Sequence, residues 1–348
     1  MPFFLQAPST AATRLFHQEK QYSMGDIISL AADNLISPII LSFVLGFLAA
    51  IARSDLTIPE AVAKGLSIYL LFAIGFKGGA GVAAHGVDAT LVGTLVAAAV
   101  LSFTLPFVAF ALLGTMTKLR LLDRAAVAAH YGSISIVTFV AATSVLESEG
   151  IAAEGYLVAA AAVMEAPAIL SALFIVARKG GGSRGTVDSS LYREILLNGS
   201  IVLLVGTFFI GTITGEEGLE IVAPLFVDPF QGLLCLFLLD MGLVAGRGLR
   251  DTKGDLGFGT IAFGMVMPLV GAAFGLLAAL IVGLSAGGAA LLITLSASAS
   301  YIAVPAAMRV ALPEARPSIY LTLSLGVTFP FNLAIGIPIY IAIADSLI

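Results

Sequence analysis

The 348-residue chain has no tryptophan, one cysteine, three histidines and charged side chains at only 11% of its positions. Each shortage excludes something. Cys235 alone cannot close a disulfide within the chain, so no cystine framework holds the fold. His17, His85 and His130 have no metal-ligand spacing. There is no G-x-x-x-x-G-K-[ST] phosphate loop and no G-x-S-x-G elbow with a matching histidine, so neither nucleotide hydrolysis nor nucleophilic catalysis is supported. A net charge of −5 spread over short loops provides neither a basic face for nucleic acid nor an acidic tail.

What is present in excess is apolar surface. Hydrophobic residues make up 59% of the chain, far above a soluble domain, which predicts an all-α polytopic membrane protein. About 20 apolar residues cross a hydrocarbon core as a helix. On that measure ten spans are expected, near 34–52, 59–80, 89–115, 121–145, 152–177, 193–213, 222–245, 257–282, 287–309 and 317–345. The mixed segment 1–33 lacks the uninterrupted apolar run of a signal peptide and is expected to stay attached as an external tail. The Gly/Ser-rich segment 178–192 reads as a cytoplasmic linker between two sets of five spans, 34–177 and 193–348.

The two sets resemble each other at an offset of about 165 positions. "KGLSIYLLFAIGFKGG" from Lys64 lies over "QGLLCLFLLDMGLVAG" from Gln231, and "SIS" at Ser133 lies over "SAS" at Ser298. The preserved order predicts an internal repeat. Fourteen of the 17 lysines and arginines fall on loops after odd-numbered spans or their flanks, leaving Arg14, Lys20 and Lys77 for the other side. The positive-inside rule then makes the odd loops cytoplasmic and both termini external. Because each repeat has an odd number of spans, the second enters upside down, a 5+5 inverted repeat of the kind secondary transporters use.

Two polar runs interrupt spans four and nine. "HYGSISIVTF" from His130 places Ser133 and Ser135 two apart, and "LSASASYIAVPAAM" from Leu295 alternates Ser296, Ser298 and Ser300 before Tyr301 and Pro305. A spacing of two does not make a helical face but suits extended backbone. Extended backbone at membrane depth is tolerated only against protein or a water-filled cavity. The expectation is therefore two discontinuous helices, the fourth and ninth, crossing near the midplane. Their broken ends would offer N–H groups to a small anion and carbonyls to a small cation. Small-residue packing between helices is the alternative for any single serine here. Glu165, two residues before Pro167, is a buried carboxylate beside a freed carbonyl and a candidate sodium partner, with Thr328 and Asn332 as neutral oxygens in the matching region. Lys77 is expected to snorkel outward, Asn198 to pair structurally, and His130 to sit at the interface, while Asp240 lies deeper and is harder to dismiss, with structural pairing as one alternative.

"IPEAVAKGLSIYLLFAIGFKGG" at Ile58, "AAHYGSISIVTF" at Ala128, "SASASYIAVPAAMR" at Ser296 and "GVTFPFNLAIGIPIY" at Gly326 resemble the sodium-dependent bicarbonate transporters, over roughly residues 34–345. The resemblance implies sodium-coupled bicarbonate import by alternating access, a core domain moving against a gate domain, and a homotrimer in the inner membrane. It also implies a PII-like regulatory protein on the cytoplasmic side, no cofactor beyond the coupling sodium, and no enzyme activity. By match it places Gly132, Ser133 and Ser135 with Ser298, Ser300 and Tyr301 around the anion, and Thr138, Glu165 and Asn332 at sodium. A small carboxylate remains the alternative cargo, and a passive anion channel the alternative mode.

Overall fold

The computed structural model describes residues 36–86, 88–179, 199–251 and 256–348. The expected tail and most of the expected linker, with Asn198, lie outside these residues. The described chain is entirely helical. Its elements are α1 (Pro38–Ile51), α2 (Glu60–His85), α3 (Ala89–Met116), α4 (Leu121–Gly132), α5 (Ile136–Ser148), α6 (Leu157–Val163) and α7 (Glu165–Lys179). There follow α8 (Gly199–Phe226), α9 (Phe230–Asp251), α10 (Phe258–Val282), α11 (Ala286–Ser296) and α12 (Ala303–Ala311). The last run is α13 (Pro317–Leu323), α14 (Phe329–Phe331) and α15 (Ile337–Leu347), joined by π turns at Ser324–Thr328 and Asn332–Gly336.

Among the described residues, eight helical stretches are long and apolar enough to cross a membrane, and α1 and α11 are shorter apolar helices at the expected first and ninth positions. The protein is a multi-pass membrane protein. Two boundaries differ from expectation: α8 continues past 213 to Phe226, and α9 begins at Phe230 rather than near 222. Gly215, with φ 62° and ψ −152°, kinks α8, a backbone conformation that glycine adopts without steric cost.

The helices form two bundles. In the first, α1 packs on α9 and α2 on α8. These pairs approach closely through glycine: a Cβ at Gly46 would lie 2.0 Å from the Leu239 carbonyl oxygen, and one at Gly79 would lie 1.9 Å from that of Phe208. Small residues of this kind let membrane helices gain van der Waals contact where no hydrophobic force drives them together. The second bundle contains α3 to α7 and α10 to α15, and holds many fully buried large side chains, among them Tyr131, Phe139, Phe263 and Tyr340. The bundles meet where α8 reaches α6, where α9 lies against the π turn at Ser324–Thr328, and where α2 crosses α6. There Gly78 and Gly155 sit backbone to backbone, and a Cβ on Gly155 would fall 2.8 Å from the Gly78 carbonyl oxygen.

Lys77, next to Gly78, reaches across this seam to an ion pair with Glu147 at the end of α5. The side chain stays partly exposed and has a specific partner on the other bundle. Asp240 is buried in α9.

Candidate functional site

The helix through the first polar run ends at Gly132 and restarts at Ile136. Between them Ser133 (φ −90°, ψ 174°) and Ser135 (φ −102°, ψ 107°) are extended. Ser135 caps α5, its Oγ accepting from the Thr138 N–H at 3.1 Å, a serine N-cap of the usual kind. The second polar run leaves helix after Ser296 and re-enters at Ala303, with Pro305 in the first turn of α12. Ser296 differs from the alternating pattern expected of it. It is still helical, its hydroxyl donates back to the Leu292 carbonyl, and Ala297 after it is still αR (φ −88°, ψ −5°), so the break begins beyond Ala297.

The two breaks touch. The Ser135 N–H donates to Ser298 Oγ at 2.9 Å, and the Ser300 N–H donates to the His130 carbonyl at 2.7 Å. The C-terminal ends of α4 and α11 and the N-terminal ends of α5 and α12 all point at this contact, so partial charges of both signs converge on it. Ser133 Oγ donates to Glu165 at 2.5 Å. Glu165 opens α7 after a turn at Met164, whose carbonyl accepts from Ser102 Oγ. Tyr301 lies edge-on to Phe329, and its hydroxyl faces the Ser135 side chain. Ser133, Ser135, Ser298, Ser300, Tyr301 and Glu165 are all buried.

A cavity of about 20 Å³ lies among Ile134, Ser135, Glu165, Ser300 and Tyr301, enough for one water-sized particle. Leu71 of α2 and Leu204 of α8 close its far side, so the first bundle covers a site built by the second. Thr138 is 1% exposed and its Oγ1 has no partner, an unusual condition for a buried hydroxyl.

The remaining expected site residues lie one layer out. A Cβ on Gly132 would meet the Pro106 ring at 2.2 Å, so glycine here permits α3 and α4 to touch. Asn332 donates to the Ala297 carbonyl at the end of α11 and accepts from the Tyr340 hydroxyl, both at 2.9 Å. Its carboxamide thereby fixes the second break. Thr328 donates to the Gly264 carbonyl and meets the Tyr131 hydroxyl. Among the described residues no three His, Cys, Asp or Glu side chains cluster as metal ligands, so a sodium site here draws on hydroxyls and carbonyls besides Glu165.

His130 is where the sequence reading fails. It is not interfacial but fully buried, stacked on Tyr320 at 4.4 Å, with Nδ1 hydrogen-bonded to the Ala126 carbonyl and its own carbonyl holding Ser300. Tyr131, Tyr320 and Tyr340 were also not anticipated. Tyr131 sits in the first polar run, a signal that was available; Tyr320 and Tyr340 lie in the last span, where nothing local marks them.

Residues 38–345, nearly the whole chain, match the family described as the Na+-dependent bicarbonate transporter superfamily. The chain belongs to that superfamily. It is a sodium-dependent transporter and not an enzyme, in accord with a site made of hydroxyls and helix ends. No curated protein matches the chain.

Proposed function

We propose that this transporter imports bicarbonate together with sodium across the cytoplasmic membrane, the anion and sodium binding where the two chain breaks cross. The observation that carries the reading is the pair of hydrogen bonds joining the breaks, Ser135 to Ser298 and Ser300 to His130. They put serine hydroxyls, backbone N–H groups and one carboxylate at a single buried point. Bicarbonate is singly charged and rich in hydrogen-bonding oxygens, so such donors can replace its hydration without a lysine or arginine. Sodium beside it offsets the cost of desolvating a lone charge. Gly132, Ser133, Ser135, Ser298, Ser300 and Tyr301 are assigned to the anion side. Thr138 and Glu165 are assigned to sodium, and Asn332 to holding the second break in place.

The reading includes ten spans in a 5+5 inverted repeat, 34–177 and 193–348, with both termini external. Support comes from the glycine contacts of the first bundle. Gly46 packs on α9 and Gly211 on α2, and Gly79 packs on α8 and Gly242 on α1. Gly46 precedes Gly211 by 165 positions and Gly79 precedes Gly242 by 163, close to the offset of the sequence repeat. Alternating access would then move the second bundle against the first, uncovering the cavity from beneath Leu71 and Leu204. A homotrimer and a cytoplasmic PII-like regulator complete the reading by resemblance alone.

The test is uptake of labelled inorganic carbon into proteoliposomes at a pH where bicarbonate dominates, with and without an inward sodium gradient. Uptake should require the gradient. Uptake that ignores it indicates a channel, and inhibition by acetate or pyruvate at bicarbonate-like concentrations indicates a short carboxylate as cargo.

A further inference from the structure

Several of the polar groups at the crossing already have partners within the protein. The Ser135 N–H is taken by Ser298 Oγ, the Ser300 N–H by the His130 carbonyl and the Thr138 N–H by Ser135 Oγ. The Ser298 hydroxyl donates to the Leu295 carbonyl, and the Val304 N–H reaches Ser300 Oγ at 3.4 Å. The Tyr301 hydroxyl is buried without a partner, and the Ser135 and Ser300 hydroxyls accept but keep their own protons to donate. The Ser133 hydroxyl differs from them in being bound to the carboxylate of Glu165.

The arrangement is not symmetric between the repeats, and the asymmetry has one source. By the repeat, Ser298 corresponds to Ser133 and Ser300 to Ser135. Ser298 Oγ accepts the amide of the opposite break, Ser135. The equivalent partner for Ser133 Oγ would be the Ser300 amide, yet that amide goes to the His130 carbonyl and Ser133 turns to Glu165 instead. The matching region of the second half, Val327 to Gly336, contains no acidic residue. A single carboxylate, present in one repeat only, therefore takes the hydroxyl.

We propose that Glu165 and Ser133 form a lock that sodium opens: the carboxylate holds the Ser133 hydroxyl away from the anion until sodium binds the carboxylate. This inference rests on the sodium and bicarbonate reading above. A hydroxyl hydrogen-bonded to a carboxylate is held by a charge-assisted bond, roughly twice as strong as a neutral one. An anion must compete with that bond and also sit beside an uncompensated negative charge. Sodium removes both obstacles. It neutralises the carboxylate and takes its lone pairs, and the hydroxyl can rotate to donate into the cavity. The unpartnered Oγ1 of Thr138, buried one helical turn into α5, is a second oxygen for the cation. Sodium thus binds first, and the anion binds second. Linkage requires that the anion raise sodium affinity by the same factor.

The test uses the full chain purified in detergent at pH 8. Sodium binding is read as the shift in melting temperature between sodium and choline chloride, and anion binding as equilibrium binding of labelled bicarbonate in the same two salts. The wild type should be stabilised by sodium alone and should bind bicarbonate at least tenfold more tightly in sodium than in choline. Ser133→Ala should keep the sodium shift and lose at least tenfold in bicarbonate affinity. Glu165→Ala should lose the sodium shift and bind bicarbonate weakly but equally, within twofold, in both salts. Should Glu165→Ala fail to fold, Glu165→Gln keeps the shape and should show a sodium-to-choline ratio well below that of the wild type. Equal bicarbonate affinity in both salts for the wild type overturns the lock, as does full sodium stimulation in either Glu165 variant or wild-type bicarbonate affinity in Ser133→Ala. A wild type stabilised by sodium that binds no bicarbonate overturns the substrate reading instead. Labelled acetate or pyruvate in the same two salts then decides the lock by the same criteria.

Discussion

The backbone N–H of Ser135 donates to the hydroxyl of Ser298 at 2.9 Å, across a sequence separation of 163 residues. Neither half can satisfy this buried amide alone. Ser298→Ala leaves the N–H without a partner at a cost of about 1–3 kcal/mol, and should lower sodium-driven uptake at least tenfold at matched membrane abundance. Ser144→Ala is the control. Ser144 is also buried, but its hydroxyl meets only Gln231 at 3.5 Å, and uptake should change less than twofold.

Thr138 separates a ligand from a structural hydroxyl. Its Oγ1 has no partner, so Thr138→Val removes no hydrogen bond and should leave melting temperature in choline unchanged or slightly raised. The sodium concentration giving half-maximal uptake should nevertheless rise, roughly tenfold if the lost oxygen is worth the ~1.4 kcal/mol of one decade. Unchanged sodium dependence removes Thr138 from the cation site.

Gly132 gives the opposite pattern. An alanine methyl would lie 2.2 and 2.5 Å from the Pro106 ring carbons, and a proline ring within α3 has little freedom to retreat. Overpacking of this sort costs typically ~1–3 kcal/mol. Gly132→Ala should lower the melting temperature in sodium and choline alike, with sodium affinity unchanged in the folded fraction.

The ion pair of Lys77 and Glu147 links the bundles while both side chains remain partly open, 49% and 40% exposed. Such a pair contributes at most about 1 kcal/mol, enough to bias two arrangements of similar energy but not to lock one. Lys77→Glu should slow uptake through repulsion with Glu147. The exchanged pair Lys77→Glu with Glu147→Lys should restore it. Failure of the exchange to rescue would mean that Lys77 acts on something other than Glu147.

Orientation is checked by labelling single cysteines in a Cys235→Ala background with a membrane-impermeant maleimide on intact cells. Lys118→Cys, exposed between α3 and α4, should be protected, and Glu149→Cys, exposed after α5, should react. The reverse pattern would invert the proposed topology.

Sequence showed the membrane helices because lipid imposes length and apolarity on each of them separately. It also showed the break at Ser133 to Ser135, since polar groups spaced by two are costly in lipid unless something receives them. Ser296 shares that spacing yet stays in α11, because a serine hydroxyl can return to the carbonyl four residues back and so hide within a helix. His130 was misplaced for a related reason. A histidine near the start of a span looks interfacial in one dimension, but α4 ends at the crossing and carries it into the core. The choice between holding a ligand and holding the scaffold, as for Asn332, depends on partners 35 and 8 residues distant and has no local signature.

Where α2 crosses α6, the main chains of Gly78 and Gly155 meet directly, with the Val158 side chain beside Gly78. Interlocking side chains act as teeth, and they would have to unmesh before one helix could travel along another. Bare main chain gives a smooth bearing. A place where the two bundles come backbone to backbone is thus also one where friction between them is low, and a single methyl there should jam the machine without touching the ions it carries.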